Sequence, residues 1–335
     1  MKLIIQIPCL NEEEQLPATL ADIPRDVPGF DVVELMVIDD GSTDRTVEVA
    51  RAHGVHHIVK LPQNRGLAAA FQAGLDTALK LGADVVVNTD ADNQYRGDSI
   101  PDLVAPIVAG DADVVVGDRD VRNIAEFSWL KRRLQVLGSW VVRVASGTDI
   151  PDATSGFRAY TREAALQLMV VSRYTYTIES IIQVGKSRLA VTHVPIRTNP
   201  KVRDSRLFSS TWGYVRRNAL TILRVFAAYE PIKFFSTIAA LLVVAALAAF
   251  SPFLWDWIVN GERSGHLQSV ILGAILSISA FLVVVLAIVA DLMAAHRAVT
   301  QRVLEHTRQL ELAAGVPPLH YEPGATEPGP TISAD

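Results

Sequence analysis

The chain has 335 residues, 50% of them apolar, with a mean hydropathy of +0.25 and a net charge of −5. This length allows one large domain with an appendage, and the single cysteine, Cys9, excludes an intramolecular disulfide and a cysteine-rich metal site. The apolar run at residues 2–8 is too short for a signal peptide, so we expect a cytoplasmic domain to follow it.

Short apolar runs alternate with helical patterns through the first part of the chain. The runs predict strands at residues 2–8, 32–39, 55–61, 83–89, 112–117 and 189–196. Helical patterns lie between them at residues 14–23, 43–53, 66–81, 129–145 and 175–186. Strands that alternate with helices indicate an α/β fold, with a mainly parallel sheet covered on both faces.

Polar and acidic motifs follow three of these predicted strands. They are Asn11 with Glu12, Asp39 with Asp40, and Asp90 with Asp92. In a parallel sheet the carboxyl ends of the strands form the ligand-binding edge, so these motifs indicate one shared site. Asp90 and Asp92 offer two carboxylates to a hard divalent cation, and Gln94 adds an amide oxygen. The alternative is a solvated turn, which a lone Asp-x-Asp motif does not exclude.

The second half of the chain has the pattern of a membrane protein. Residues 197–224 carry seven basic residues and one acidic residue, which favours anionic headgroups or a phosphate ligand over nucleic acid. Residues 210–229 have the spacing of an interfacial amphipathic helix. Residues 234–254 and 267–290 are each long enough to cross a hydrocarbon core of about 30 Å. Basic residues flank this hairpin on its outer sides, which predicts both ends in the cytoplasm; the alternative is two buried helices of a soluble core.

Four motifs occur in a fixed order along the chain. They are Pro8-Cys9-Leu10-Asn11-Glu12-Glu13, Asp39-Asp40-Gly41-Ser42-Thr43-Asp44, Asn64-Arg65-Gly66 and Asp90-Ala91-Asp92-Asn93-Gln94. With them the chain resembles the family 2 glycosyltransferases, and residues 152–160 resemble the branch that contains dolichol-phosphate mannose synthases and polyprenyl-phosphate glucosyltransferases. The resemblance covers residues 3–199, and the hairpin also occurs in that branch. The Gln-x-x-Arg-Trp motif of processive synthases does not occur in this sequence.

The resemblance implies a GT-A, Rossmann-like catalytic domain and divides the chain accordingly. It implies this domain at 1–209. The hydropathy and composition of the rest predict an interfacial helix at 210–230, two transmembrane helices within 231–294, and a cytoplasmic helix with a disordered tail at 295–335, the tail from residue 315. In the run that follows the metal motif, this chain has Tyr95-Arg96-Gly97, whereas the mannose synthases continue differently. The donor sugar therefore stays open.

The resemblance also implies roles for individual residues. The nucleotide-sugar would be bound by Pro8, Asn11, Glu12, Asp40, Arg65 and Asp90. Mg²⁺ or Mn²⁺ would be held by Asp90, Asp92 and Gln94. The reaction centre would contain Arg119, Asp152 and Glu179, and the lipid phosphate would be bound by Arg119, Arg132, Arg133, Arg203 and Arg206. Structural alternatives exist for some of them, since Asp40 and Asp44 could cap a helix and Asp152 could pair with Arg158.

These roles predict an inverting, metal-dependent transfer of a sugar from a UDP- or GDP-hexose to a dolichyl, undecaprenyl or decaprenyl phosphate. A lipid monophosphate is mostly dianionic at neutral pH, so it needs positioning more than deprotonation. The alternatives are transfer to a sugar hydroxyl of a lipid-linked glycan, a non-catalytic membrane scaffold, and a nucleotidyltransferase. The expected partners are the donor, the lipid acceptor and the membrane, without nucleic acid, and the spans could support a homo-oligomer.

Overall fold

The structure, a computed structural model, describes residues 1–119, 140, 142–144, 146–170, 176–187, 189–200, 223–224, 226–261 and 266–324. Within these residues eight strands form one sheet. They are β1 (Lys2–Cys9), β2 (Val32–Asp39), β3 (His57–Lys60), β4 (Val85–Asn88), β5 (Val114–Asp118), β6 (Arg158–Thr161), β7 (Val191–Pro195) and β8 (Tyr321–Pro323). Their order across the sheet is β7-β5-β6-β4-β1-β2-β3-β8.

Only β6 and β8 run against the other strands of the sheet. β6 pairs antiparallel with both β4 and β5, and β8 pairs antiparallel with β3. The remaining pairs are parallel. The predicted α/β architecture with a mainly parallel sheet is therefore confirmed.

Apolar side chains cover both faces of the sheet. Because successive strand residues point to opposite faces, Leu3, Ile5 and Ile7 enter one core cluster and Ile4 enters the other. The first cluster packs against α1 (Leu16–Asp22), α2 (Thr46–Ala52) and α4 (Ile100–Val108). The second packs against α3 (Leu67–Lys80), α5 (Arg162–Gln167) and α6 (Thr177–Lys186). A short 3₁₀-helix, Gly97–Ser99, precedes α4.

The chain divides into two compact units. The first consists of Met1–Asn218 together with Gln301–Asp335, and the second is Ala219–Thr300. The sequence predicted the C-terminal region as a separate helix with a disordered tail from residue 315. That expectation is wrong for the segment that contains β8, which is an edge strand of the eight-stranded sheet. Most of the predicted helices at 129–145 and 210–230 lies outside the described residues.

The second unit contains two long apolar helices. α7 (Pro231–Trp255) continues into a π-helix, Asp256–Asn260, and α8 (Leu267–Ala313) extends beyond the unit into the first one. Both helices are long and apolar enough to cross a membrane. Their most apolar 18-residue windows are only 11% and 17% buried, unlike core helices of a soluble protein. The buried alanines recur at seven-residue spacing, as Ala239 and Ala246 in α7 and Ala280 and Ala287 in α8, and such small residues let helices approach closely.

Candidate active site

The topology brings the polar loops to one edge of the sheet. The parallel strands β1, β2, β3, β4, β5 and β7 all end at this edge, and the two antiparallel strands, β6 and β8, begin there. The loops after β1, β2, β3 and β4 therefore meet the segments that precede β6 and β8. This is the edge at which open α/β sheets bind their ligands.

Hydrogen bonds fasten the loop after β1 to the loop after β2. The Thr43 amide donates to Asn11 Oδ1 at 2.8 Å, and the Asn11 amide donates to Ser42 Oγ at 2.9 Å. The Glu12 amide donates to Thr46 Oγ1 at 2.9 Å. Asn11 has a φ of 55°, a left-handed backbone that asparagine adopts more readily than most residues. The Asn11 side chain thus holds the two loops in register.

Asp40 fastens the next loop in the same way. Its two carboxylate oxygens accept hydrogen bonds from the amides of Arg65, at 2.8 Å, and Gly66, at 2.9 Å. Burial raises the pKa of the Asp40 carboxyl, although these two hydrogen bonds oppose the rise. Asp40 therefore holds the loop in front of α3, and its predicted contact with the base or ribose stays a prediction.

The neighbouring residue, Asp39, has a carboxylate oxygen without a hydrogen-bond partner among the described residues. Its side chain is 1% exposed, and Oδ1 accepts a hydrogen bond from the Ser42 amide at 2.9 Å. Oδ2 is buried and has no hydrogen-bond partner among the described residues. Asp39 lines a cavity of 480 Å³ at the ends of β2 and β3. The sequence analysis assigned a role to Asp40 and none to Asp39, although the Asp39-Asp40 pair was the signal that could have identified Asp39.

Asp90 and Asp92 form an acidic corner after β4. Burial raises the pKa of the Asp90 carboxyl to about 7, and the charge of Asp92 adds to this rise. The charges of Arg119 and Arg158 oppose it. Asp92 Oδ1 accepts a hydrogen bond from the Gln94 amide at 3.1 Å, so Gln94 helps to orient Asp92 through its backbone.

The two carboxylates fit a divalent cation that shares its ligands with a substrate. Among the residues that the structure describes, no group of three or more His, Cys, Asp or Glu side chains is placed to hold a metal ion. Mg²⁺ is commonly held by one or two carboxylates together with phosphate oxygens and water. Asp90 and Asp92 supply that set of hard oxygen donors.

A buried polar network lies beneath Asp90. Asn88 Nδ2 donates to the Gly156 carbonyl at 2.9 Å, and Gln6 Nε2 donates to Asn88 Oδ1 at 2.9 Å. The Tyr176 hydroxyl lies 2.7 Å from Asn88 Nδ2. A Cβ atom at Gly156 would lie 3.0 Å from both carboxylate oxygens of Asp90. The Asp90 carboxylate is therefore seated against a position that has no room for a side chain.

Arg119 and Asp152 join the end of β5 to the segment before β6. Arg119 Nε donates to Asp152 Oδ2 at 2.7 Å and Nη2 donates to Oδ1 at 3.1 Å. Thr154 adds a hydroxyl hydrogen bond to Oδ1 at 2.8 Å. Burial alone would raise the pKa of the Asp152 carboxyl, but the Arg119 charge and these hydrogen bonds outweigh it, so the pKa lies below its usual value. Asp152 pairs with Arg119, and the alternative partner, Arg158, is engaged elsewhere.

Arg158 is fully buried and holds the same segment from the other side. Its guanidinium donates to the Ser155 carbonyl at 2.8 Å, to the Ala153 carbonyl at 2.9 Å and to the Thr177 carbonyl at 2.7 Å. A further hydrogen bond reaches Ser180 Oγ at 2.7 Å. Because these partners are neutral oxygens, the Arg158 charge is left to act on Asp90 nearby. Sequence reasoning missed this role.

The remaining predicted residues are scattered around this edge. Pro8 is buried in β1 opposite Ile38 of β2, Arg65 is exposed, and Glu179 is half-buried in the first turn of α6. The predicted lipid-phosphate residues Arg132, Arg133, Arg203 and Arg206 lie outside the described residues.

Comparison with known proteins agrees with this geometry. The sequence model of the glycosyl transferase family 2 matches residues 4–168. The chain is 31% identical over 236 residues to the polyprenol monophosphomannose synthase of Mycolicibacterium smegmatis, an alignment that covers 63% of this chain and 86% of that protein. It is 30% identical over 206 residues to the undecaprenyl-phosphate mannosyltransferase of Micrococcus luteus, with 58% and 83% covered.

A solved structure shows the same fold. The glucosyl-3-phosphoglycerate synthase of Mycobacterium tuberculosis, in complex with Mn²⁺, UDP-glucose and phosphoglyceric acid, superposes with a TM-score of 0.52 at 24% identity. The superposition covers 67% of this chain and 79% of that one. The resemblances seen in the sequence, to the GT-A fold and to the polyprenyl-phosphate branch, are confirmed. The chain belongs to the family 2 glycosyltransferases and is a glycosyltransferase enzyme.

Proposed function

We propose that this enzyme transfers a sugar, with inversion, from a UDP- or GDP-hexose to a polyprenyl phosphate. The observation that carries the proposal is the engagement of the Asp152 carboxylate by Arg119 and Thr154. An alcohol acceptor loses a proton during attack and needs a base. A phosphate acceptor does not, and a carboxylate with a lowered pKa is a weak base. The relatives named above, which by their names act on polyprenol or undecaprenyl phosphate, support the same acceptor class.

The donor is proposed to lie along the ligand edge from β3 to β4. The free Oδ2 of Asp39 would accept the ring N–H that uracil and guanine have and that adenine and cytosine lack. Asp90 and Asp92 would hold Mg²⁺ or Mn²⁺, which would neutralise charge on the departing diphosphate. The Mn²⁺ and UDP-glucose in the complex of the solved relative support divalent metal use in this fold.

The acceptor phosphate is proposed to bind near Arg119. None of the described residues accepts a hydrogen bond from Arg119 Nη1, whereas Nε and Nη2 are occupied by Asp152 and Thr154. Guanidinium groups bind phosphate with paired N–H donors. Asp152 would thus position Arg119, and Arg119 would position the nucleophile.

The two apolar helices are proposed to anchor the enzyme in the membrane that contains its acceptor. The segments before and after the hairpin belong to one folded unit, so they lie on the same side of the bilayer. The basic residues outside the hairpin favour the cytoplasmic side for both. Self-association through the spans stays a prediction.

The test is a transfer assay with purified enzyme, polyprenyl phosphate, Mg²⁺ or Mn²⁺ and a panel of UDP- and GDP-sugars, read by mass spectrometry. A lipid-phosphate-sugar product is expected. Asp92→Ala should reduce its formation by about a hundredfold or more, since even residues that only support metal ligands contribute about 10–100-fold. Asp98→Asn is the matched control, because Asp98 is exposed and pairs with Arg96 instead.

Product that forms only on a glycosylated lipid would indicate the alternative acceptor, a sugar hydroxyl. Absence of both product and nucleotide binding would contradict the proposal altogether. Equal activity of Asp92→Ala and Asp98→Asn would contradict the role of the acidic corner.

A further inference from the structure

The segment after α8 returns to the ligand edge of the sheet. β8 extends the sheet beyond β3, with Tyr321 opposite Val59 and Glu322 opposite Ile58. Two further backbone hydrogen bonds complete this pairing, from the Lys60 amide to the His320 carbonyl and from the Gly324 amide to the His56 carbonyl, each 2.8 Å long. Because β8 is antiparallel, its first residues lie where β2 and β3 end.

Buried and charged contacts fix both the end of α8 and the segment that follows it. Arg308, at 8% exposure, forms an ion pair with Asp76 of α3 at 2.6 Å and donates to the Leu168 carbonyl at 2.6 Å. Glu311 pairs with Lys80 at 2.9 Å. At β8 itself, Glu322 pairs with Arg51, and the Tyr321 hydroxyl lies 3.1 Å from His57 Nδ1. The segment is therefore part of the catalytic unit and is held at several points.

The same segment lines the cavity that contains Asp39. The part of this 480 Å³ cavity lined by β2, β3 and the loops that follow them includes Asp39, Ser42 and Lys60, and the segment after α8 adds His320 to the lining. His320 has a φ of 58°, a left-handed conformation that is uncommon outside glycine, although histidine adopts it more often than most residues, and that clusters at functional sites. Glu322 also lines the cavity, but its carboxylate is engaged by Arg51. His320 thus lines the same cavity as Asp39, and Lys60, which pairs with Asp39 in the sheet and bonds to His320 through its amide, adds a cation to that lining.

The distance from the acidic corner suits an extended ligand. Adjacent strands lie about 4.8 Å apart, so β2 and β3 lie roughly 10 and 14 Å from β4, where the acidic corner is. A nucleoside diphosphate has its diphosphate at one end and its base at the other. A ligand whose diphosphate lies at Asp90 and Asp92 therefore reaches toward the cavity with its nucleoside.

We propose that the segment 316–324 is one wall of the donor site and that His320 contacts the nucleoside of the nucleotide-sugar. This inference rests on the proposed function, since it requires a nucleotide donor. It makes donor binding depend on residues that follow the membrane hairpin in the chain. The chemistry recognised is a nucleoside with a ring N–H for Asp39 and a face or hydroxyl within reach of the His320 imidazole.

The test measures the affinity of UDP and GDP, each with Mn²⁺, by calorimetry in detergent. Three proteins are compared with the full-length enzyme: a chain that ends at Gly315, His320→Asn, and His306→Asn. Asparagine tolerates the left-handed backbone of residue 320, so His320→Asn removes the ring and keeps the turn. His306 is exposed on α8 and serves as the control.

The full-length enzyme is expected to bind one of the two nucleotides, and both the shortened chain and His320→Asn should bind it at least about fivefold more weakly, the effect of one net hydrogen bond. His306→Asn should bind as the wild type does. If the shortened chain has a lower melting temperature than the full-length enzyme, the affinity of His320→Asn tests the contact with the nucleoside, provided that the melting temperature of this variant without nucleotide equals that of the wild type. Equal affinity of His320→Asn and wild type would overturn this inference alone. Absence of nucleotide binding by the full-length enzyme would overturn the donor site and the proposed function with it.

Discussion

At the scale of single residues, the contact between Arg119 and Asp152 decides what Asp152 contributes. A carboxylate that accepts two hydrogen bonds from a guanidinium is held in its charged form. In Asp152→Asn the amide keeps the shape and loses the charge, which leaves the largely buried Arg119 without its counterion. We expect the free energy of unfolding to fall by about 3 kcal/mol, and activity to fall through misplacement of Arg119, without a change in the acid limb of the pH–rate profile.

Thermal melting and a pH–rate profile check this prediction, with Asp149→Asn as the control because Asp149 is exposed in the same segment. The folded-state pKa of Asp152 lies below its unfolded value. The difference in the free energy of unfolding between the wild type and Asp152→Asn should therefore be fully present above about pH 4. It should disappear as the pH falls through the folded-state pKa. A variant with normal stability whose activity loses its acid limb would show instead that Asp152 acts as a base.

The proposed role of Asp90 as a metal ligand predicts that metal binding depends on pH near neutrality. A metal ligand must be deprotonated to bind, and the pKa of the Asp90 carboxyl without metal is about 7. The affinity for Mn²⁺ alone should therefore be constant above about pH 8 and fall by roughly tenfold per pH unit below about pH 6. Titration of the enzyme with Mn²⁺ by electron paramagnetic resonance measures this slope. Asp90→Asn should bind weakly at every pH, and a wild-type affinity that does not change between pH 5.5 and 8 would rule the interpretation out.

Asp39 and Asp40 show how far residue types can be interpreted without a structure. The sequence predicts that this pair ends a strand at the ligand edge, and it does. Successive strand residues point to opposite faces of the sheet, so Asp39 and Asp40 point toward different loops. Which one keeps a free oxygen depends on the amides of Arg65 and Gly66, which approach from the next strand connection. That approach is a tertiary contact that the local sequence does not encode.

At the scale of elements, the strands with long apolar runs were predicted, and two strands without such runs, β6 and β8, were not. β1 and β2 are apolar and buried, and each ends in polar turn residues, so their pattern is sufficient. β6 is the segment Arg158-Ala-Tyr-Thr161, which begins with a charged residue that is buried only because four oxygens surround it. β8 is the segment Tyr321-Glu-Pro323, where proline is tolerated at a sheet edge. Both depend on partners distant in sequence, and neither has a periodic pattern.

The end of α8 is a part of the catalytic unit that can be tested separately. Arg308 donates to the Leu166 and Leu168 carbonyls and pairs with Asp76. Arg308→Ala should lower the free energy of unfolding by about 2 kcal/mol, mainly because the two carbonyls lose their donor. Thermal melting in detergent measures the change, and Arg302→Ala, an exposed arginine of the same helix, should have no effect. Equal melting temperatures for the two variants would show that this part of α8 does not stabilise the catalytic unit.

At the scale of the whole molecule, the single cysteine makes the topology accessible to labelling. Cys9 is buried, and burial raises the pKa of its thiol well above the usual value, so it should not react with a maleimide. Val259→Cys, near the exposed end of the π-helix between the two apolar helices, should be labelled from outside intact cells by a membrane-impermeant maleimide. Arg302→Cys should be labelled only after lysis. Labelling of both positions from outside, or of Arg302→Cys alone, would contradict the proposed orientation.

The order of synthesis gives the edge strand β8 a particular place in the life of the enzyme. β8 leaves the ribosome only after both apolar helices have been made, on the order of ten seconds or more after β3 at about 5–20 residues per second. Until then β3 is the outer strand, and its unpaired backbone groups can pair with another chain. The wall proposed for the donor site thus forms last, in chains whose hairpin is already complete. Under the proposed function, a nascent chain would have its acidic corner well before this wall, so a firm hold on the nucleotide-sugar would come only after the hairpin has been made.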